Sequence, residues 1–201
     1  DYGTHFDLLW KSDLRSMVLL DRNHPSIIMW STGNEVIEQD GRSGGYRLSK
    51  ELADYVRVLD NTRAVTNALY PIPNINNRVD EASLQKEGDA WGEKTEKFAE
   101  PLDVVGYNYL LHRYAYDGKK YPKRIICGTE TFPSQAFDYW QQVEKHAHVI
   151  GDFVWTSIDY LGEAGIGYVN YGDRRNSKGY PWLTANCGDI DICGLKRPQS
   201  Y

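Results

Sequence analysis

Two glutamates stand where side-chain chemistry could be done. Glu35 follows the apolar run Ile27, Ile28, Met29 and Trp30 after a break at Gly33, and Glu130 closes the run from Ile125 through Cys127. A short apolar run bounded by polar and turn residues reads as a strand buried on both faces of a parallel sheet. In an α/β barrel the carboxyl ends of such strands open on one face, where side chains from several strands converge. A carboxylate pair placed there can divide acid/base and nucleophilic work between its members. Taken singly, either glutamate could instead charge the start of a helix, since acidic groups favour that end of the helix dipole.

Asp21 to Glu35 reads Asp-Arg-Asn-His-Pro-Ser-Ile-Ile-Met-Trp-Ser-Thr-Gly-Asn-Glu. Arg22, Asn23, His24, Pro25, Ser26, Trp30, Ser31, Asn34 and Glu35 resemble the acid/base signature of glycoside hydrolase family 2, the family of β-galactosidases, β-glucuronidases and β-mannosidases. Ile125-Ile126-Cys127-Gly128-Thr129-Glu130-Thr131-Phe132-Pro133 is similar to the family's nucleophile strand, the seventh of its barrel. The resemblance implies retaining hydrolysis of a terminal β-glycoside, with Glu35 as acid/base and Glu130 as nucleophile. Retaining pairs stand roughly 5–5.5 Å apart, against about 6.5–9.5 Å in inverting enzymes. Glu35 would rest protonated beside an anionic Glu130.

The same resemblance assigns substrate-binding residues. Asn34 would contact the sugar 2-hydroxyl. Val105-Gly106-Tyr107-Asn108-Tyr109 resembles the sixth strand, where a tyrosine orients the nucleophile. Tyr109 is preferred, although strand alternation puts Tyr107 on the same face. Asn108 joins the binding set. Phe153-Val154-Trp155 resembles the eighth strand, whose Trp155 would floor the sugar site and precede a cis peptide at Thr156. Asn176, Ser177 and Lys178 have the form that β-glucuronidases use for a sugar carboxylate. Tyr180-Pro181-Trp182 and Gly188-Asp189-Ile190-Asp191 look instead like a β-galactosidase loop, and β-galactosides are the expected substrates. Tyr168 and Tyr171 could line a subsite or cover the barrel mouth.

The elements that must position these residues read as α/β. Expected strands run near 26–31, 63–67, 102–109, 124–130 and 150–156. Residues 1–11 read as loop. Ser12 is placed as the cap of a helix through Leu14, Met17, Val18 and Leu20. A second helix spans 46–59 with Leu48, Leu52, Tyr55, Val56 and Leu59 on one face. Residues 70–100 show little regular pattern beyond a short helix near 81–87. Ser134 is placed as the cap of a helix to about 148, with Phe137, Trp140 and Val143 inward, and Pro198 as the opening of a last helix. Alternating strands and helices predict a partial (β/α)8 TIM barrel, about strands four to eight. Residues 1–201 would then be one partial catalytic domain, without the first strands and the β-sandwich domains that precede the barrel in this family.

Composition narrows the alternatives. A formal charge of −5 over 201 residues offers nothing to nucleic acid or an anionic membrane. No apolar run nears the roughly 20 residues of a membrane span. Cys127, Cys187 and Cys193 are an odd set without a Cys-x-x-Cys pair and read as free thiols. His146 and His148 lack a third ligand, so no metal is expected, nor any cofactor. No leader is visible, which leaves the compartment open. A half-open sheet would expose an edge, inviting a partner chain or the missing domains. Rival readings are a β-glucuronidase or β-mannosidase of the same family, another carboxylate-pair hydrolase, and an inactive or carbohydrate-binding remnant.

Overall fold

The computed structural model describes residues 2–158, 188–191 and 193–196. The expectations on Tyr168, Tyr171, Asn176, Ser177, Lys178, Tyr180, Pro181, Trp182, Cys187 and Pro198 fall outside that set.

Five strands form one parallel sheet: β1 (Met29–Asn34), β2 (Ala64–Leu69), β3 (Val104–Asn108), β4 (Ile126–Thr131) and β5 (Val149–Val154). Helix α1 (Phe6–Asp21) precedes β1, and α2 (Gly45–Leu59) leads to β2. Then α3 (Glu81–Glu87) and α4 (Ala90–Ala99) lead to β3, α5 (Tyr114–Lys120) to β4 and α6 (Ala136–Lys145) to β5. The spatial order of the strands equals their order in the chain. That is the winding of a barrel wall, since a doubly wound sheet reverses direction at a switch point. Among the described residues, β1 and β5 each pair on one side.

The core lies between the sheet and its helices. Val18, Trp30, Ala53, Val56 and Val65 pack α1 and α2 against β1 and β2. A larger cluster runs from Leu69 and Trp91 through Tyr107, Tyr114 and Ile126 to Tyr139 and Val149. Burying each large aliphatic side chain contributes roughly 1.5–3 kcal/mol. Trp30 belongs to this framework: its Nε1 donates to Asp60 at 2.9 Å, and Arg63 binds the same carboxylate at 2.6 Å.

All five expected strands exist, with shifted limits. β1 starts at Met29, later than expected, and runs through Gly33. Several helical expectations are corrected. Residues 6–11 are helical, and Ser12 lies inside α1, its hydroxyl donating to the Leu9 carbonyl. Ser134 sits in a short 3-10 turn and caps nothing. On α6 the inward ring is Tyr139, while Phe137 and Trp140 are 72% and 53% exposed. A three-residue spacing drifts round a 3.6-residue helix, so several faces fit a short apolar pattern. Within 70–100, Asp80 and Asp89 cap α3 and α4 with side-chain hydrogen bonds to Ser83 and Gly92.

One carboxyl is out of balance with its surroundings. Asp152 on β5 accepts a hydrogen bond from Thr131 through Oδ2, but its other oxygen and the Tyr114 hydroxyl are buried without a protein partner. Burial pushes this carboxyl up to about 6 from an ordinary 3.8. A raised pKa favours the protonated fold, so stability falls as pH rises between those values and then levels off. Solvent reaches part of this residue, so the cost at neutral pH is about 1–2 kcal/mol, below the roughly 3 kcal/mol of an unscreened shift. Asp152→Asn should therefore be more stable than the parent at pH 7, with the advantage gone near pH 4. Urea denaturation across that range checks it, and equal stability at both pH values would contradict it.

Candidate active site

The chain leaves regular strand geometry at Glu35, Tyr109 and Thr129. On β1, Ser31 pairs with Thr66 but Asn34 pairs with Ala68, so one extra residue is inserted. Glu35 then takes a left-handed conformation, φ 52°, with its N–H donating to the Ala68 carbonyl. On β4, Gly128 pairs with Tyr107 and Glu130 with Asn108, leaving Thr129 as the insertion. Such bulges re-aim side chains at strand ends. A left-handed non-glycine residue costs of order 1 kcal/mol or more and persists only where its surroundings enforce it.

Tyr109 is the second such residue, φ 57°, its N–H donating to the Glu130 carbonyl. This corrects the expectation that Tyr107 and Tyr109 share a face. Tyr107 is fully buried among the helices, where its ring meets Trp91 and its hydroxyl donates to Asp117. The left-handed turn breaks the alternation and aims Tyr109 the other way, so that its hydroxyl donates to Glu130 Oε1 at 2.8 Å. Burial, followed by the adjacent Glu130, pushes the Tyr109 phenol far above its ordinary range, so it stays a donor.

Asn108 is the centre of the arrangement. Its Nδ2 lies 2.9 Å from Asn34 Oδ1, 3.0 Å from Glu35 Oε1 and 3.4 Å from Glu130 Oε2. Two N–H protons therefore serve three acceptors. Thr129 Oγ1 donates to Asn108 Oδ1 at 2.7 Å and fixes which way the amide points. Thr129 was not singled out from the sequence; its only signal is a hydroxyl beside Glu130. Gly106 makes room for it, because a Cβ there would lie 2.7 Å from Thr129 Oγ1 and 2.8 Å from the Asn67 carbonyl.

The structure thus brings Glu35, Glu130, Asn34, Asn108 and Tyr109 into one hydrogen-bonded group at the carboxyl ends of β1, β3 and β4. Trp155 follows β5, its N–H donating to the Thr131 carbonyl at 2.8 Å, and the Trp155–Thr156 peptide is cis. Among the described residues, no cluster of three or more His, Cys, Asp or Glu side chains could hold a metal ion. Cys127 and Cys193 are free thiols. No described helix is long and apolar enough to cross a membrane.

The model of the glycosyl hydrolases family 2 TIM barrel domain matches residues 9–174. The chain belongs to glycosyl hydrolase family 2. Its five-stranded sheet is part of that family's barrel domain. A family 2 member from Bacteroides cellulosilyticus superposes with a TM-score of 0.76 at 45% identity, covering 100% of this chain and 23% of that one. A β-galactosidase of Bacteroides ovatus is 23% identical over 275 residues, covering 100% of this chain and 29% of the relative. A β-glucuronidase of Paenibacillus borealis is 28% identical over 194 residues, covering 83% of this chain and 29% of the relative. This family 2 chain therefore spans less than a third of each of these relatives.

Proposed function

We propose that this chain carries the acid/base and the nucleophile of a retaining β-glycoside hydrolase, acting on β-galactosides. The observation that carries this reading is the Asn108 amide, hydrogen-bonded at once to Glu35 and Glu130. Contacts of 3.0 and 3.4 Å to one nitrogen keep the nearest carboxylate oxygens within the sum of those lengths. The two carboxylates thus share one hydrogen-bonding centre, which supports the short separation of a retaining pair.

In the first half-reaction a Glu130 oxygen attacks the anomeric carbon as the bond to the leaving oxygen breaks. Glu35 gives its proton to that oxygen. Tyr109 holds Oε1, so the more weakly held Oε2 is the attacking atom. In the second, Glu35 takes a proton from water, the hydroxyl oxygen bonds to the anomeric carbon, and Glu130 leaves as a carboxylate. Because Asn34 Oδ1 already accepts from Asn108, its amide nitrogen remains to donate to the sugar 2-hydroxyl. Trp155 would form the floor beneath the sugar. The β-galactosidase names among the relatives support galactose, while the β-glucuronidase names keep glucuronate as the second reading. Among the described residues β1 and β5 each pair on one side, and the chain spans under a third of its relatives, which together support completion of the barrel by further strands of a longer polypeptide.

The test is a 2-deoxy-2-fluoro-β-galactosyl donor with a good leaving group, applied to the full-length protein that carries this chain. The peptide containing Glu130 should gain the mass of one fluorosugar. Label on another residue, or hydrolysis of β-glycosides with no labelled peptide, would remove Glu130 from the role. The fluoroglucuronyl donor, run in parallel, separates the two sugars.

A further inference from the structure

Phe132 lies two residues beyond Glu130 and belongs to neither core cluster. Between them, Thr131 is fully buried and turns its hydroxyl to Asp152, on the helix side of the sheet. The chain stays extended at Phe132, φ −76° and ψ 136°. Alternation therefore returns Phe132 to the face that carries Glu130. At about 3.3 Å per residue it stands roughly 6–7 Å further out along the barrel mouth. There its ring packs on Tyr109, the residue bonded to Glu130, with ring centroids 4.5 Å apart and planes inclined by 35°. Even so, Phe132 remains 45% exposed. Pro133, the next residue, is buried at the start of the following turn.

An exposed apolar ring beyond Glu130 on its strand, packed against Tyr109, suits the apolar face of a ring. Its height sets which ring. The sugar under attack must lie at the level of Glu130, so a group stacked on Phe132 lies outside it, on the leaving-group side. We infer that Phe132 is a specificity-determining residue that receives the aglycone, with a second sugar ring stacked on its open face. This rests on the glycosidase reading of Glu35 and Glu130.

The test compares Phe132→Ala and Phe132→Trp in the full-length protein on three donors: a β-galactosyl fluoride, nitrophenyl β-galactoside and a β-galactosyl disaccharide. Fluoride is too small to reach Phe132. The alanine variant should lose about 10-fold in kcat/KM on the disaccharide and the nitrophenyl glycoside, with the fluoride unchanged. The tryptophan variant should keep all three rates. An equal loss on the fluoride would mean that Phe132 acts by supporting Tyr109, and would overturn the inference. No loss on any donor would overturn it too. In either case, hydrolysis of the fluoride that depends on Glu130 leaves the catalytic reading standing. A parent protein that turns over none of the three overturns both.

Discussion

Glu35→Ala should be slower than the parent by about 10²–10⁴-fold on a β-glycoside whose leaving group needs a proton, the usual contribution of a positioned acid. On a dinitrophenyl glycoside the first half-reaction should be nearly unaffected, because that leaving group departs as an anion. The variant should then stall as the glycosyl-enzyme, with no base to activate water. Azide needs no base, so it should restore turnover and give a β-glycosyl azide, the retained product. The geometry behind this is the shared Asn108 nitrogen, which keeps Glu35 on the same centre as Glu130. Equal losses on both leaving groups, or no response to azide, would deny Glu35 the acid/base role.

Removing one buried acid should do to the fold what Glu35→Ala does to the rate. Arg113 is fully buried and bonds Asp117 through Nε at 3.0 Å and through a second nitrogen at 2.9 Å. It also bonds Asp89 at 2.8 Å, which Lys120 reaches at 2.7 Å. The guanidinium lies over the Trp91 ring at 4.3 Å. Tyr107 donates to Asp117 at 2.7 Å and accepts from Arg124 at 2.9 Å. Asp117→Ala leaves a buried cation short of charge and a buried phenol without its acceptor. Such breaks cost about 3–5 kcal/mol. Replacing both partners, as in Arg113→Met with Asp117→Leu, should cost less than the single change, since no charge is then stranded. Urea denaturation of the three proteins decides it, and a single-variant loss below about 1 kcal/mol would count against the account. Because Tyr107 directly precedes Asn108, this network also anchors the strand that carries the site.

The parts of the fold legible in the sequence were those with one dominant cause. The five strands follow from apolar runs that only a sheet covered on both faces can use. Glu35 and Glu130 end two such runs, but position alone also suits a helix entry, and it is the family 2 resemblance around each that singles them out. Helix α4 was hidden because charged residues separate the few that it buries, among them Trp91, Thr95 and Phe98. Its aspartate cap at Asp89 is the one sequence signal of where it starts. Tyr107 and Tyr109 could not be told apart, because a left-handed residue is invisible to a pattern that assumes alternation. The role of Thr129 depends on a bulge, and bulges leave no mark in hydrophobic periodicity.

Three neighbouring pairs, Asn34 with Glu35, Asn108 with Tyr109 and Thr129 with Glu130, all send side chains to one centre. An ideal strand would give that centre one residue of each pair and hand the other to the helices. Each irregularity thus doubles the local supply of functional groups at a rim where space is scarce. A redesign that straightened these strand ends would make a more regular wall and halve the number of groups facing that centre. Crowded polar doublets at the ends of apolar runs are the trace that such a wall leaves in a sequence.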